Sequence, residues 1–280
     1  MASSVSVIVP TRNSARTLAA CLASIRGQSE EVGEIIVCDS GSDDATPDLA
    51  ADGGAIVVQH PPNRSGQRNR GVEVATGEYL LFIDSDMRLG RSVVADCLAT
   101  MQPSDAALVI PEIFVGDGFW AAVRGHERTF YEGVWWIEAA RWYRAAQFRS
   151  IGGFATDIVG MEDWDLDQRI RQLGDVRHIK AIIEHDEGRA EFRNLVGKKA
   201  HYSSSTVEFA TRHPERAALA LSPLRRAGLF AAHPLRLARH PILTGGVIAL
   251  GLSEIAAARG WGASRSAGNP ERPISYGQTR

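Results

Sequence analysis

At 280 residues, the chain is long enough for one large α/β domain and an appended helical segment. A formal net charge of −2 excludes the global basic footprint of a nucleic-acid-binding protein, so no nucleic-acid partner is expected. Its cysteines, Cys21, Cys38 and Cys97, lack Cys-x-x-Cys spacing and fall on expected helices or strands, which reads as buried reduced thiols and favours a cytoplasmic protein.

The amino terminus enters its first expected strand, Val5-Ser6-Val7-Ile8-Val9, almost at once, leaving no room for a signal peptide. That strand runs into Pro10-Thr11-Arg12-Asn13 and then a helix whose apolar face includes Leu18, Leu22 and Ile25. Glu34-Ile35-Ile36-Val37-Cys38 is a second buried strand, ending at the acidic Gly/Ser turn from Asp39 to Asp44 ahead of a helical segment. Tyr79-Leu80-Leu81-Phe82-Ile83 is a third, and it ends at Asp84-Ser85-Asp86. Repeated strand-turn-helix units predict a largely parallel sheet with a nucleotide-sized crevice at its carboxyl edge. No Gly-x-Gly-x-x-Gly follows the first strand. Recognition of a nucleotide by carboxylates and a metal therefore fits better than a glycine-rich phosphate cradle.

Asp84 and Asp86, one residue apart just past a buried strand, are placed to share a hard divalent cation and a ribose. The competing reading is a solvated turn with a capping Asp. From Phe114 to Arg149 the chain becomes dense in Trp, Phe and Tyr, either to build a ligand pocket whose aromatic faces stack on rings or apolar groups, or to pack on the sheet. Met161 to Leu173 has helical spacing, with Leu166, Ile170 and Leu173 able to form one buried face. Glu162 and Asp163 then lie in the first turn, as a general base and its neighbour or as carboxylates favoured by the helix dipole. Asp165, Asp167 and Arg169 are expected to pair on the helix surface. His185, after Ala181-Ile182-Ile183, is either an imidazole metal ligand or a strand-end histidine bonded to a carbonyl.

The last third differs in charge. From Phe192 to Ser253 there are nine Lys or Arg residues against two acids, Glu208 and Glu215, which points to an anionic partner. Leu219 to His240 mixes arginines with leucines and breaks near Pro223, Pro234 and Pro241, the composition of an interfacial helix pair. Ile242 to Ala258 is slightly short of the ~20 residues needed to span a bilayer, favouring a monotopic contact. The alternative is a helical hairpin packed on the catalytic domain. After Gly262 the composition reads as a disordered tail.

The stretch Val5 to Asn13, Ile36 to Thr46, Gly66-Gln67-Arg68-Asn69-Arg70-Gly71, Asp84-Ser85-Asp86, and Gly152-Gly153-Phe154 followed by Glu162-Asp163-Trp164-Asp165-Leu166 together resemble the family 2 glycosyltransferases, over about residues 4–185. The resemblance implies a GT-A fold, a Rossmann-like mixed and mainly parallel α/β sheet flanked by helices, with a C-terminal helical extension. Together with the composition of the last third, it divides the chain into a catalytic domain at 1–190, with nucleotide-sugar binding in 1–113 and the acceptor and catalytic part in 114–190, a basic apolar extension at 191–262, and a tail at 263–280. It implies nucleotide-sugar contacts at Pro10, Thr11, Asp39, Arg68 and Asp84, and Mn²⁺ or Mg²⁺ on Asp86 with Asp84 beside it; His185 is a candidate further ligand from its position alone. Asp163 becomes the base and Glu162 orients the acceptor. Two departures stand out: Ser40 replaces a frequent second Asp, and Gln67 replaces a small residue.

The implied reaction is a metal-dependent, inverting transfer of a sugar from a UDP-, GDP- or dTDP-sugar to a hydroxyl acceptor. A saccharide or lipid-linked acceptor at an anionic membrane surface would belong to envelope polysaccharide or glycolipid assembly, and a soluble or amphiphilic aglycone to secondary metabolism. A sugar-nucleotide pyrophosphorylase would carry an N-terminal Gly-rich phosphate loop, which is missing here. A non-catalytic sugar-nucleotide or membrane-binding protein would need no base.

Overall fold

A computed structural model of the chain describes residues 4–158, 160–202 and 205–266. Its strands are β1 (Val5–Thr11), β2 (Glu34–Asp39), β3 (Ile56–Gln59), β4 (Tyr79–Phe82), β5 (Met87–Leu89), β6 (Asp105–Val109), β7 (Glu112–Asp117), β8 (Trp142–Arg144), β9 (Asp175–His178) and β10 (Ile183–Arg189). Seven of them form the central sheet in the order β3-β2-β1-β4-β8-β6-β9. Every neighbouring pair is parallel except those made by β8, which runs antiparallel between β4 and β6. A smaller sheet, β5-β10-β7, stands beside it.

Both faces of the central sheet are covered, which is why its strands read as apolar runs rather than alternating ones. Along β1, Val5, Val7 and Val9 enter one cluster, while Ile8 enters the other with Ile36, Leu80 and Phe82. The helix Leu18–Arg26 closes the first crossover by burying Leu18, Leu22 and Ile25, as its spacing predicts. The helix Arg64–Val74 lies unusually close to the sheet. A Cβ on Gly71 would meet Ile8 Cγ2 at 2.6 Å and Cys38 Sγ at 2.9 Å, so that approach requires glycine. All three cysteines are buried and free, and burial raises their thiol pKa values, that of Cys38 to about 12.

The aromatic segment resolves mainly as packing. Trp142, Tyr143 and Phe148 are all but inaccessible, Trp142 on one face of the sheet and the other two on the opposite face. Phe130 and Tyr131 instead form a separate cluster with Leu229, Phe230 and Leu237 from the C-terminal region. The helix expected to run to Leu173 spans Glu162–Ile170. Leu166 and Ile170 are buried, but Leu173 is 44% exposed because the chain has already turned toward Gly174 and β9.

The C-terminal helices Pro214–Ala220, Pro223–Ala231, Pro234–Arg239 and Pro241–Ser266 each open on a proline. The expected breaks at Pro223, Pro234 and Pro241 are thus helix starts, where a missing N–H leaves no bond unmade. One side of this array packs on the helix Phe119–Arg128, where Val123 meets Val247 and Leu250 in an apolar cluster. The tail expected from residue 263 onward continues the last helix through Ser266, and its remainder lies outside the described residues. Among the described residues, no helix is long and apolar enough to cross a membrane.

Candidate active site

The carboxyl ends of β2, β1 and β4 lie side by side because these strands pair in parallel. Thr11 closes β1 and donates from Oγ1 to Asp39 Oδ1 at 3.1 Å. Asp39 also accepts from the Ser42 amide at 2.9 Å, the Ser42 hydroxyl at 2.5 Å and Gln59 Nε2 at 3.3 Å. Burial pushes its carboxyl pKa up, but these donors outweigh burial and hold it below the ordinary value. Asp39 is therefore occupied in bracing the turn, while Pro10, Thr11 and Ser40 face the cleft. The Ser40 hydroxyl is buried there without a partner. Gln67 has a structural role that a small residue could not fill, since its Nε2 donates to Thr11 O at 2.9 Å and Cys38 O at 2.7 Å and ties the two strand ends together.

Behind the cleft, a buried arginine gathers three carboxylates. Arg68, 1% exposed, donates from Nη2 to Asp84 Oδ1 at 2.8 Å and from Nη1 to Asp163 Oδ1 at 3.0 Å, with Glu162 Oε1 at 3.6 Å. Arg141 approaches Asp84 Oδ2 at 3.6 Å and Glu112 Oε1 at 2.5 Å. Burial alone would raise the pKa of Asp84, yet Arg68 and Arg141 hold it well below the carboxylate range. Glu112 is likewise brought down to about 2, with Arg141 and His185 outweighing its burial. Glu162 goes the other way. Burial and the adjacent Asp163 charge raise its pKa, and its Oε2 is buried with no hydrogen-bond partner.

Arg68 owes its place to its helix neighbours. Asn69 donates from Nδ2 to Phe154 O and accepts from Phe154 N, each at 2.9 Å, and the Phe154 ring lies 5.0 Å from the Arg68 guanidinium carbon. Gly152 and Gly153 have φ of 79° and 70°. A Cβ on Gly153 would come within 2.6 Å of Asn69 Oδ1, so the Gly-Gly-Phe turn is needed to make that clamp.

The helix Glu162–Ile170 carries the candidate base and is anchored from below. Asp165, Asp167 and Arg169 do not form surface pairs, contrary to expectation: Asp165 is 1% exposed and Asp167 fully buried. The i,i+4 pair Asp165–Arg169 at 2.7 Å forms, but Asp165 also binds His213 at 2.8 Å. Arg169 donates to Ile151 O and Gly153 O. Asp167 binds Arg171 and the fully buried Arg216 of the C-terminal region. These contacts fix the first turn, where the helix dipole also favours Glu162 and Asp163.

Asp86 and His185 meet because β10 pairs with β5, placing His185 opposite Met87, and the Asp186 amide donates to Asp86 O at 2.8 Å. Asp86 Oδ2 lies 3.5 Å from His185 Nε2, and His185 Nδ1 lies 3.6 Å from Glu112 Oε2. Burial opposes charge on the imidazole, but Asp86 and Glu112 overcome it and raise its pKa to about 9. Among the described residues no group of three or more His, Cys, Asp or Glu side chains forms a ready metal cage. Asp86 still suits a Mg²⁺- or Mn²⁺-sized cation, because such sites take one or two carboxylates and complete their shell with phosphate oxygens and water, and a bound cation would displace the imidazole proton and leave His185 Nε2 free to join it. Asp84 lies nearby, but both of its oxygens are engaged by arginines.

A cleft of about 2190 Å³ joins these groups. Pro10, Thr11, Asp84, Asp86, Glu162, Asp163 and His185 line it, whereas Asp39 and Arg68 stand behind its wall. Arg141 and Glu112 escaped sequence reasoning, and so did the role of Ser40. Arg141 directly precedes the buried Trp-Tyr pair of β8, and a charge abutting a core strand was the available signal.

A sequence profile described as Glycosyl transferase family 2 matches residues 6–160. The chain is 29% identical over 243 residues to the pre-mycofactocin glycosyltransferase of Mycobacterium tuberculosis, covering 76% of this chain and 49% of that protein. It thus spans about half the length of that relative. It is also 32% identical over 177 residues to a PGL/p-HBAD biosynthesis glycosyltransferase of Mycobacterium bovis, covering 59% of this chain and 68% of that one. Its fold resembles the mannosyltransferase PcManGT from Pyrobaculum calidifontis in complex with GDP-Man and Mn²⁺, with a TM-score of 0.62, 21% identity, and coverage of 91% of this chain and 86% of the other. S. aureus TarS 1-349 in complex with UDP-GlcNAc aligns with a TM-score of 0.56 at 17% identity, covering 96% and 93% of the two chains. At these identities the solved structures bear on architecture, and the expected GT-A fold with its helical C-terminal region is the one found.

Proposed function

The chain belongs to glycosyl transferase family 2, and from that premise we propose that it moves a sugar from a nucleotide-sugar donor to a hydroxyl acceptor by one direct, inverting displacement. The observation that carries this reading is the Arg68 centre, which sets the donor-side carboxylate Asp84 and the candidate base Asp163 on one guanidinium at 2.8 and 3.0 Å. In this reading residues 1–113 bind the donor and 114–190 supply the acceptor side and the base.

Pro10, Thr11 and Ser40 shape the nucleoside end of the cleft. Asp86 and His185 would hold Mn²⁺ or Mg²⁺ against the diphosphate, where the cation supplies Lewis-acid stabilisation of the departing phosphate charge. Asp163 accepts the proton of the attacking hydroxyl, for which a carboxylate facing the cleft and 41% exposed at its side chain is accessible. Glu162, buried beside it with an unpartnered oxygen, orients that hydroxyl as a hydrogen-bond acceptor. Arg68 Nη1 donates to Asp163 Oδ1 at 3.0 Å and so orients its carboxylate.

We further read the acceptor as lipid-carried, because the same cleft is walled on its far side by apolar residues of the C-terminal helices, including Phe230, Leu237 and Ile248. An aglycone in solution is the second reading, supported by the packing of those helices on the helix Phe119–Arg128. Incubating the protein with UDP-, GDP- and dTDP-sugars in Mn²⁺ or Mg²⁺ and measuring released nucleoside diphosphate tests the proposal without an acceptor. One donor hydrolysed well above the others supports it, and no release from any donor with either metal overturns it.

A further inference from the structure

The C-terminal array also presents an exposed aliphatic surface. Leu224, Leu235 and Ile242 each follow the proline that starts a helix, and they are 84%, 78% and 76% exposed. The last helix is two-sided. Gly246, Val247, Leu250 and Glu254 are buried against the body, while Ile248 and Leu252 on the other side are 59% and 64% exposed. Ile242, Gly245, Ile248 and Leu252 recur at three- and four-residue steps, so they form one outward stripe. Scattered exposed leucines need no explanation, but three successive helices each presenting an aliphatic side chain do.

The charge around these residues selects their partner. Between Leu219 and Ser253 there are four arginines and no acid. Arg226 and Arg236 are turned back onto Tyr131 and Phe130, while Arg225 and Arg239 are exposed and have no acidic partner among the described residues. The first acid beyond, Glu254, is buried and faces Arg124 at 3.4 Å. An apolar stripe flanked by arginines without acidic partners, on helices of which none among the described residues is long and apolar enough to cross a membrane, matches the requirements of an interfacial contact with anionic lipid.

We propose that the outward face of the helices from Pro223 to Leu252 is a membrane-docking surface, with Leu224, Leu235 and Ile242 entering the headgroup boundary of an anionic leaflet and Arg225 and Arg239 lying over its phosphates. This deepens the lipid-acceptor reading and rests chiefly on Leu224, Leu235, Ile242, Arg225 and Arg239, which do not line the cleft. Ile248 and Leu252 belong both to the stripe and to the cleft wall, so a docked protein would hold its acceptor side open toward the lipid.

The test is co-sedimentation of the full chain with vesicles of phosphatidylcholine alone or mixed with phosphatidylglycerol, at low and high salt. The intact protein should pellet with the mixed vesicles at low salt and be released by high salt. Leu224→Asp/Leu235→Asp/Ile242→Asp should stay in the supernatant. Arg225→Glu/Arg239→Glu should partition at least about tenfold less, since each arginine near an anionic leaflet is worth about fivefold. Both variants should keep the wild-type melting temperature and donor hydrolysis. If the aspartates unfold the array, the Leu224→Ser/Leu235→Ser/Ile242→Ser variant provides the same comparison. Wild-type protein that remains soluble with mixed vesicles, or an aliphatic-face variant that folds and still pellets, overturns the proposal. So does a wild-type dimer in solution that the same substitutions dissociate without vesicle binding. Vesicle binding without hydrolysis of any donor would keep the docking surface and remove the transferase reading instead.

Discussion

The Arg68 guanidinium donates to Asp163 across 3.0 Å, joining residues 95 apart in the chain. Because the other side of the same group donates to Asp84 at 2.8 Å, the arginine is a shared counter-charge for the two halves of the cleft. Replacing it with alanine would leave Asp84, Glu162 and Asp163 close together with their compensating charge gone. Arg68→Ala should lower stability by about 3–5 kcal/mol, the usual consequence of removing one partner of a buried ion pair. Arg68→Lys should fold, but a single ammonium nitrogen cannot stand in for the separate Nη1 and Nη2 donors that hold Asp163 and Asp84, so kcat should fall more than KM rises. A melting curve for Arg68→Ala matching the wild type would show that this centre does not hold the site together.

The base assignment separates two adjacent carboxylates. Asp163→Asn keeps the shape and the Arg68 contact but cannot take a proton, so donor binding should survive while transfer drops by ~10² or more. Glu162→Gln should weaken acceptor use, seen mainly in the acceptor KM. Steady-state kinetics on both variants decides the matter, and an inactive Glu162→Gln beside an active Asp163→Asn would exchange the two roles.

Acid stability should depend on Glu127. Burial raises its carboxyl pKa, but Arg124, the Tyr131 hydroxyl at 2.7 Å and Arg128 outweigh burial and bring it from 4.5 to about 2. A depressed folded pKa means the stabilisation is fully present above pH 4.5 and disappears as the pH falls toward 2. By linkage, that shift corresponds to a contribution on the order of 3 kcal/mol. Arg124 also faces Glu254, so the loss loosens the seat of the last helix. Chemical denaturation of Glu127→Gln across this range should show a shallower decline than the wild type, and parallel curves would contradict the assignment.

The parts of this architecture visible in the sequence are those set by local pattern. Apolar runs ending in Asp39 and Asp84 marked strand ends, because a strand buried on both faces must be apolar until it leaves the sheet. Gly71 and Gly153 stood in recognisable motifs because a helix-to-sheet approach and a positive-φ turn admit little else. What local pattern could not convey was partnership. Asp165 and Asp167 read as surface charges because His213 and Arg216, which bury them, come from a distant segment. Arg141 enters the site just before β8, an antiparallel insertion in the central sheet, and Glu112 from β7 in the smaller sheet, and no short-range signal announces either placement. The exposed Leu173 shows the same limit, since helical spacing continued past the point where the chain turned into β9.

The proposed reaction is turnover of a nucleotide sugar in this cleft with a cation held at Asp86. Its most direct test is the rate of nucleoside diphosphate release from the preferred donor, measured for wild type and Asp86→Ala with Mn²⁺ and after EDTA treatment. Asp86 is 41% exposed at its side chain, so the substitution should leave melting unchanged. The wild type should lose activity in EDTA and regain it with Mn²⁺, and folded Asp86→Ala should be inactive in either case. Equal rates with and without the cation, or an active Asp86→Ala, would contradict cation-assisted transfer at Asp86.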